Sequence, residues 1–310
     1  MREGGGLRSA VVVNPSKIDD AAAHRRVVNE ALAAAGWPEP VWIETVPDDP
    51  GFGQTRQAID QGAEVVFACG GDGTVMACVG ALVGTDVALA LLPAGTGNLL
   101  AANLGLPEGP VAGVTVATQM GRRRIDVGEV EGRCFAVMAG MGFDAAMVGD
   151  ASEELKARFG VGAYVWSAVQ RLRDHSMRVT IRLDDDPPLR RRARTVLVAN
   201  VGRLQGGLRL LTDAEPDDGK LDVAIISPRS LRHWVQLTWA VVRRSDRVPR
   251  MQVLRARAVE IVSTGVQARQ LDGDVIAPAR RLDVAIRPAA LELCVPQPER
   301  SPDMAEGAPA

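Results

Sequence analysis

Hydrophobic and polar positions along the first 125 residues fall into blocks that switch between two spacings. Leu7 to Val13 is a short apolar stretch rich in valine that stops at Asn14-Pro15-Ser16-Lys17. Such a stretch bounded by turn residues predicts a buried strand, and the segment from about Asp19 to Ala35, ended by Gly36, has helical spacing. The pair recurs three times. Val41 to Thr45 precedes a helix near Gly53 to Gln61, Glu64 to Cys69 one from Thr74 to Leu82, and Val87 to Leu92 one that begins near Gly97. Strands alternating with helices predict an α/β domain, a parallel sheet covered by helices.

After about Asp126 the rhythm changes. Strands are expected at Val127 to Glu131, Cys134 to Ala139, Met177 to Leu183, Thr195 to Asn200, Lys220 to Ile226, Ala258 to Ser263 and Leu282 to Ile286. Only two helices interrupt them, from about Ser152 to Leu172 and Ser230 to Arg244. Strands in succession predict a mostly antiparallel second domain. The expected division is therefore 1–126, 127–296 and a proline-rich polar tail, 297–310, that frays.

Length and composition narrow the class. At 310 residues, with 46% hydrophobic and 24% charged residues, the chain is long enough for two domains and far from disordered or fibrous compositions. A net charge of -2 argues against a general nucleic-acid coat, and no nucleic acid is expected as a partner. Cys69, Cys78, Cys134 and Cys294 lack metal or disulfide-framework spacing. The apolar start is too short for a secretory signal, so a cytoplasmic protein is expected. Val87 to Pro107 is uncharged and long enough to span a bilayer, but prolines, glycines and asparagines interrupt it.

The sharpest chemistry is Gly70-Gly71-Asp72-Gly73-Thr74, directly after one predicted strand and directly before a helix. Glycines let backbone N–H groups approach an anion, and a helix N-terminus adds partial positive charge, so phosphate is the natural guest. Asp72 would repel a bare phosphate. A cation between them resolves this, which suggests nucleotide with Mg²⁺. A second turn, Pro93-Ala94-Gly95-Thr96-Gly97-Asn98, follows the next strand, and two such turns on neighbouring parallel strands share the carboxyl edge where α/β sheets bind ligands. Neither is a Walker A loop, and the protein-kinase motifs are absent.

With Asn14-Pro15, these two loops, Asp218-Gly219-Lys220-Leu221-Asp222, Leu271-Asp272-Gly273-Asp274 and Arg287-Pro288-Ala289-Ala290-Leu291, in that order over about residues 8 to 296, the chain resembles the lipid kinases with a diacylglycerol-kinase catalytic domain. The resemblance implies a first domain like that of NAD kinase and phosphofructokinase, followed by a β-sandwich. It implies ATP held by Asn14, Pro15, Lys17, Thr45, Gly70, Gly71, Asp72, Gly73, Thr74, Gly95, Thr96 and Asn98. It further implies a catalytic Mg²⁺ organised by Asp72 and Asp126, and a second, structural Mg²⁺ at Asp218 with main-chain oxygens of Glu215 and Lys220. The acceptor would be a lipid hydroxyl, diacylglycerol or a related glycerolipid, met at a membrane surface by a peripheral protein. A homodimer is left open.

One position departs from the family pattern. Such kinases carry Asp-Gly-Glu, with glutamate as the base that takes the proton of the acceptor hydroxyl, whereas here the third residue is Asp274. Aspartate keeps the carboxylate with one methylene less reach, and a misplacement of about 1 Å can cost on the order of 100-fold in rate. Pro228 to Arg257 holds eight arginines against one acid, Asp246, near Trp234 and Trp239. This fits either an anionic membrane surface or a solvated face with tryptophans in the core. Two rival readings stand beside the lipid kinase: an NAD kinase, which shares the first glycine loop, and a nucleotide-binding regulatory protein without turnover, suggested by Asp274.

Overall fold

Five consecutive buried residues, Ser9–Val13, form the strand β1, where three β-branched valines, Val11 to Val13, pack on both faces of a sheet. The computed structural model describes residues 6–95, 97–142, 176–202, 211, 214–228, 233, 236, 239, 243 and 248–297. The helix expected near 152–172, most of the one near 230–244, the tail beyond 297 and Thr96 lie outside these residues. The chain divides into two units: Met1–Val127 with Ala289–Ala310, and Gly128–Pro288.

In the first unit β1 is followed by a 3-10 turn at Pro15–Lys17 and by α1 (Ala21–Ala34), whose first turn is capped by the Asp20 carboxylate accepting Ala23 N–H. Then come β2 (Val41–Glu44), α2 (Phe52–Asp60), β3 (Val65–Gly70), α3 (Asp72–Leu82), β4 (Ala88–Pro93), the short α4 (Leu99–Asn103) and α5 (Pro110–Thr118). β1 pairs in parallel with both β2 and β3, and β3 with β4. The order β2-β1-β3-β4 reverses direction between β1 and β3, so the carboxyl ends of those two strands form a topological switch point. Phe67, Leu32, Leu89 and Leu92 are fully buried in this layer, each stabilising it by about 1.5–3 kcal/mol relative to exposure.

The second unit begins in β5 (Arg122–Val130) and continues through β6 (Arg133–Phe135), β7 (Met138–Met141), β8 (Met177–Leu183), β9 (Leu189–Ala193), β10 (Thr195–Ala199), β11 (Leu221–Ile226), β12 (Met251–Ala256), β13 (Ala258–Leu271) and β14 (Asp274–Cys294). The pairings β12-β11-β10-β7-β13-β14 and β13-β8-β9 are antiparallel, around a core that includes Phe135, Met141, Ile181, Leu221 and Ile261. The architecture is an α/β unit with a parallel sheet and a mostly antiparallel β unit, as the hydrophobic pattern predicts, the second being β-sandwich-like as the resemblance implies.

Three differences have physical causes. The strand expected at Cys134 to Ala139 is broken after Phe135, because the Ala136 and Val137 amides turn to a carboxylate rather than to a neighbouring strand. The expected strands at Ala258 to Ser263 and Leu282 to Ile286 are parts of the much longer β13 and β14. The register of that pair shifts between Val262 and Gln267, where the sequence pattern is interrupted by Gly265. The compact units also divide differently from the expected domains at 1–126 and 127–296. From Ala289 onward the chain belongs to the first unit, where buried Leu293 pairs with Leu89 of β4 and Val295 N–H donates to Gly121 O at 3.0 Å.

Candidate active site

The switch point is where the glycine loops meet. Asn14, at the end of β1, donates from Nδ2 to Thr74 Oγ1 at 3.4 Å, while its Oδ1 accepts Ser16 N–H at 3.1 Å. Ala94 N–H donates to Gly70 O at 3.0 Å, which joins the loops after β3 and β4 through backbone. A Cβ on Gly95 would lie 2.7 Å from Gly71 Cα, so only hydrogen fits between the chains. A Cβ on Gly71 would stand 4.0 Å from Lys17 Cε, which places that exposed cation beside the loop.

Gly71 precedes α3 in an extended conformation with no side chain capping the helix, so the first-turn amides of α3 face outward beside two glycine backbones and a lysine. Asp72 opens this helix, and its Oδ1 accepts Leu99 N–H at 2.6 Å, which starts α4. Asn98 is left-handed at φ 44°; its Oδ1 accepts Gly95 N–H at 3.2 Å and its Nδ2 donates to Gly95 O at 2.8 Å, clamping the second loop. Thr45 is buried just beyond β2, its N–H donating to Val13 O at 2.8 Å. Asp126 is buried, and its Oδ1 accepts the N–H of left-handed Ala289 at 2.7 Å, anchoring the returning chain. Beneath the loop, His24 Nε2 lies 3.2 Å from Cys69 Sγ. Burial lowers the histidine pKa and pushes the thiol up to about 12, so both are neutral near pH 7.

In the second unit a two-residue turn, Asp272-Gly273, joins β13 to β14 with φ 48° and 97°, the positive pair that Asp-Gly supplies in tight hairpins. The Asp272 carboxylate is buried and accepts three backbone N–H groups, from Ala136 at 2.9 Å, Val137 at 3.0 Å and Met138 at 2.7 Å. Gly273 N–H donates to the buried Gln270 Oε1 at 2.7 Å. The turn is thus rigidly held, and the next residue, Asp274, projects an exposed carboxylate from its edge.

Residues 8–130 match the family model "Diacylglycerol kinase catalytic domain", and residues 136–295 match "YegS C-terminal NAD kinase beta sandwich-like domain". The chain belongs to the diacylglycerol kinase family. It is 32% identical over 250 residues to a Chromohalobacter salexigens protein named "Probable lipid kinase YegS-like", covering 78% of this chain and 79% of that protein. It is 27% identical over 250 residues to a Mycobacterium tuberculosis diacylglycerol kinase, covering 77% and 79%. A crystal structure of a diacylglycerol kinase from Bacillus anthracis superposes with TM-score 0.77 at 19% identity, over 94% of this chain and 97% of that one. An Archaeoglobus fulgidus NAD kinase shares the fold more distantly, with TM-score 0.54 at 13% identity over 93% and 94%.

Within this lipid kinase family the sequence-expected residues gather unevenly. Asn14, Pro15, Lys17, Gly70, Gly71, Asp72, Gly73, Thr74, Gly95 and Asn98 sit on loops at one edge of one sheet, with Thr45 at the neighbouring strand end; Thr96 lies outside the described residues. No three His, Cys, Asp or Glu side chains among the described residues converge into a metal cage. Mg²⁺ does not require one, since it binds through one or two carboxylates together with substrate phosphates, and the hard oxygen of Asp72 beside the glycine loops suits it.

The turn expected to hold a second Mg²⁺ is different. Asp218 Oδ1 accepts Lys220 N–H at 2.9 Å, and Arg255 Nη1 stands 3.6 Å from its Oδ2, while Arg255 Nε reaches buried Asp222 at 3.1 Å. A guanidinium therefore already supplies positive charge at this turn, and Glu215 is exposed beside it. Arg255 is correspondingly not part of a free arginine face along Pro228 to Arg257. Asp272 escaped the sequence reading as a site residue, since its three donors are more than 130 positions away. No helix among the described residues is long and apolar enough to cross a membrane.

Proposed function

We propose that this family member is an ATP- and Mg²⁺-dependent kinase that transfers the γ-phosphoryl group to the hydroxyl of diacylglycerol or a related glycerolipid. The observation that carries this reading is the backbone contact of the two glycine loops at the uncapped start of α3, with Asp72 beside them. Phosphoryl transfer asks little covalent chemistry of the protein, so positioning and charge stabilisation supply most of the acceleration. The α3 amides and Lys17 bind phosphate oxygens, with Asn14, Thr45, Thr96 and Asn98 shaping the nucleotide site. Asp72 and Asp126 would hold Mg²⁺, which when bound neutralises phosphate charge. Asp274 aligns the acceptor hydroxyl and takes its proton, its position fixed by the Asp272 clamp.

The acceptor class draws support from Trp239, which is 57% exposed with the Arg243 guanidinium 4.4 Å from its ring centroid. An exposed indole with a cation on its face suits the headgroup region of a bilayer. A peripheral position at the cytoplasmic membrane face follows from this reading.

The test is to incubate the full chain with γ-labelled Mg-ATP and, separately, vesicles carrying diacylglycerol, phosphatidylglycerol, sphingosine or ceramide, and soluble NAD. Label on a glycerolipid is the expected result. Labelled NADP, or no labelled product with any acceptor, overturns the reading.

A further inference from the structure

The outward face of β8 and its neighbours divides by charge. At one end Arg182 Nη1 meets Glu260 at 3.1 Å, and Arg281 meets Glu260 at 2.9 Å and Asp283 at 2.6 Å, so signs alternate across the strands β8, β13 and β14. At the other end they do not. Arg178 of β8 lies directly opposite Arg192 of β9, and Arg190 lies opposite Thr180 on the same face. All three arginines are exposed, and among the described residues none has an ion pair. Val262, 37% exposed, neighbours Thr180 in the next strand.

Like charges directly opposite each other across an antiparallel pair have Cβ atoms about 5 Å apart and destabilise the sheet. Charging an edge strand such as β9 prevents edge-to-edge aggregation, which explains why β9 is charged. It does not explain why Arg178 faces Arg192, since an acid at either position would protect the edge and form a pair, as Glu260 does a few residues away. An anion outside the molecule would relieve this repulsion. Guanidinium groups bind phosphodiester oxygens in bidentate fashion, and a sheet face of three arginines beside an exposed valine matches a layer of anionic headgroups.

We propose that the Arg178–Arg190–Arg192 face of the β8–β9 hairpin docks the protein on a bilayer surface bearing anionic phospholipid. This rests on the lipid-kinase reading for its purpose but not for its test. Each arginine near such a surface strengthens binding about fivefold, so three together contribute about 100-fold.

The experiment is co-sedimentation of the full chain, without nucleotide or acceptor, with vesicles of phosphatidylcholine alone or mixed with phosphatidylglycerol. The wild type binds the mixed vesicles at low salt and is released at high salt. The triple variant Arg178→Gln, Arg190→Gln, Arg192→Gln loses about 100-fold in vesicle affinity, and the corresponding lysine variant retains most of it. Thermal unfolding decides whether the glutamine variant is sound: removal of facing like charges leaves Tm unchanged or raises it, and a fall would show that the arginines serve the fold and overturn the proposal. Equal vesicle binding by wild type and the glutamine variant, or none by the wild type, also overturns it. If vesicle binding behaves as expected while no lipid is ever phosphorylated, the docking surface stands and the kinase reading falls.

Discussion

The two glycine-bearing turns place their carboxylates in opposite ways. At the start of α3 the backbone is the proposed working surface. Gly71 and Gly95 leave no room for a Cβ on Gly95, and the side chain of Asp72 holds the start of α4 with one oxygen. In the Asp272-Gly273 turn the backbone is only scaffolding: Asp272 is buried under three N–H donors so that its neighbour can stand exposed. Where backbone amides are the proposed ligands the sequence carries glycine; where this hairpin presents Asp274, a second carboxylate, Asp272, holds the turn.

The sharpest way to break this comparison is to separate the two aspartates of the hairpin. Asp274→Asn is expected to lower kcat by about 10²- to 10⁴-fold, the usual contribution of a positioned acid or base, with unchanged urea stability. Asp272→Asn replaces an acceptor of three N–H groups with an amide whose NH₂ faces donors. It should cost about 2–4 kcal/mol in urea unfolding and lower activity as well. An Asp272→Asn protein as stable as wild type would refute the clamp.

Asp72 tests the other turn. Asp72→Asn keeps an oxygen for Leu99 N–H, so α4 should still form, and turnover should fall by about 10²- to 10³-fold through lost charge stabilisation. Circular dichroism matching wild type, together with lost labelling of lipid, is the expected pair of results. Gly95→Ala should act less strongly. Its methyl would meet Gly71 Cα at 2.7 Å, so the loops must separate, and titration calorimetry should show nucleotide affinity weakened by about tenfold or more, on the scale of a misplacement near 1 Å.

The same contrast accounts for what could be read in the chain. The first unit was legible because its site is local: each glycine loop directly follows the strand that carries it, and the alternation of apolar runs with helices puts those strand ends together. Even there, the contact of Gly71 with Gly95 is an inference about neighbouring strands that the β3–β4 register realises. The hairpin site was only half legible. Asp272-Gly273 announces a tight turn, but nothing near Cys134 to Ala139 signals that its amides abandon a strand for a carboxylate far along the chain. The return of Ala289 to Val295 to the first unit was equally hidden, because a strand's residues do not record which sheet they finish in.

Arg255 provides the smallest and most local test, and it concerns how charge is balanced in the second unit. Its Nε is 3.1 Å from buried Asp222 and its Nη1 is 3.6 Å from Asp218. Removing one partner of such an arrangement leaves carboxylates facing each other, a cost that a divalent ion with oxygen ligands relieves. Arg255→Met keeps much of the aliphatic bulk and deletes the charge. Without Mg²⁺ the variant should unfold a few degrees below wild type, corresponding to about 1–2 kcal/mol for lost charge-assisted hydrogen bonds in a partly solvated setting. Millimolar Mg²⁺ should then raise the Tm of the variant more than that of the wild type, because the ion occupies by mass action what the guanidinium left. A wild type stabilised by Mg²⁺ as strongly as the variant would mean that arginine and metal coexist at the turn, and that the guanidinium is a neighbour of the cation site and not its substitute.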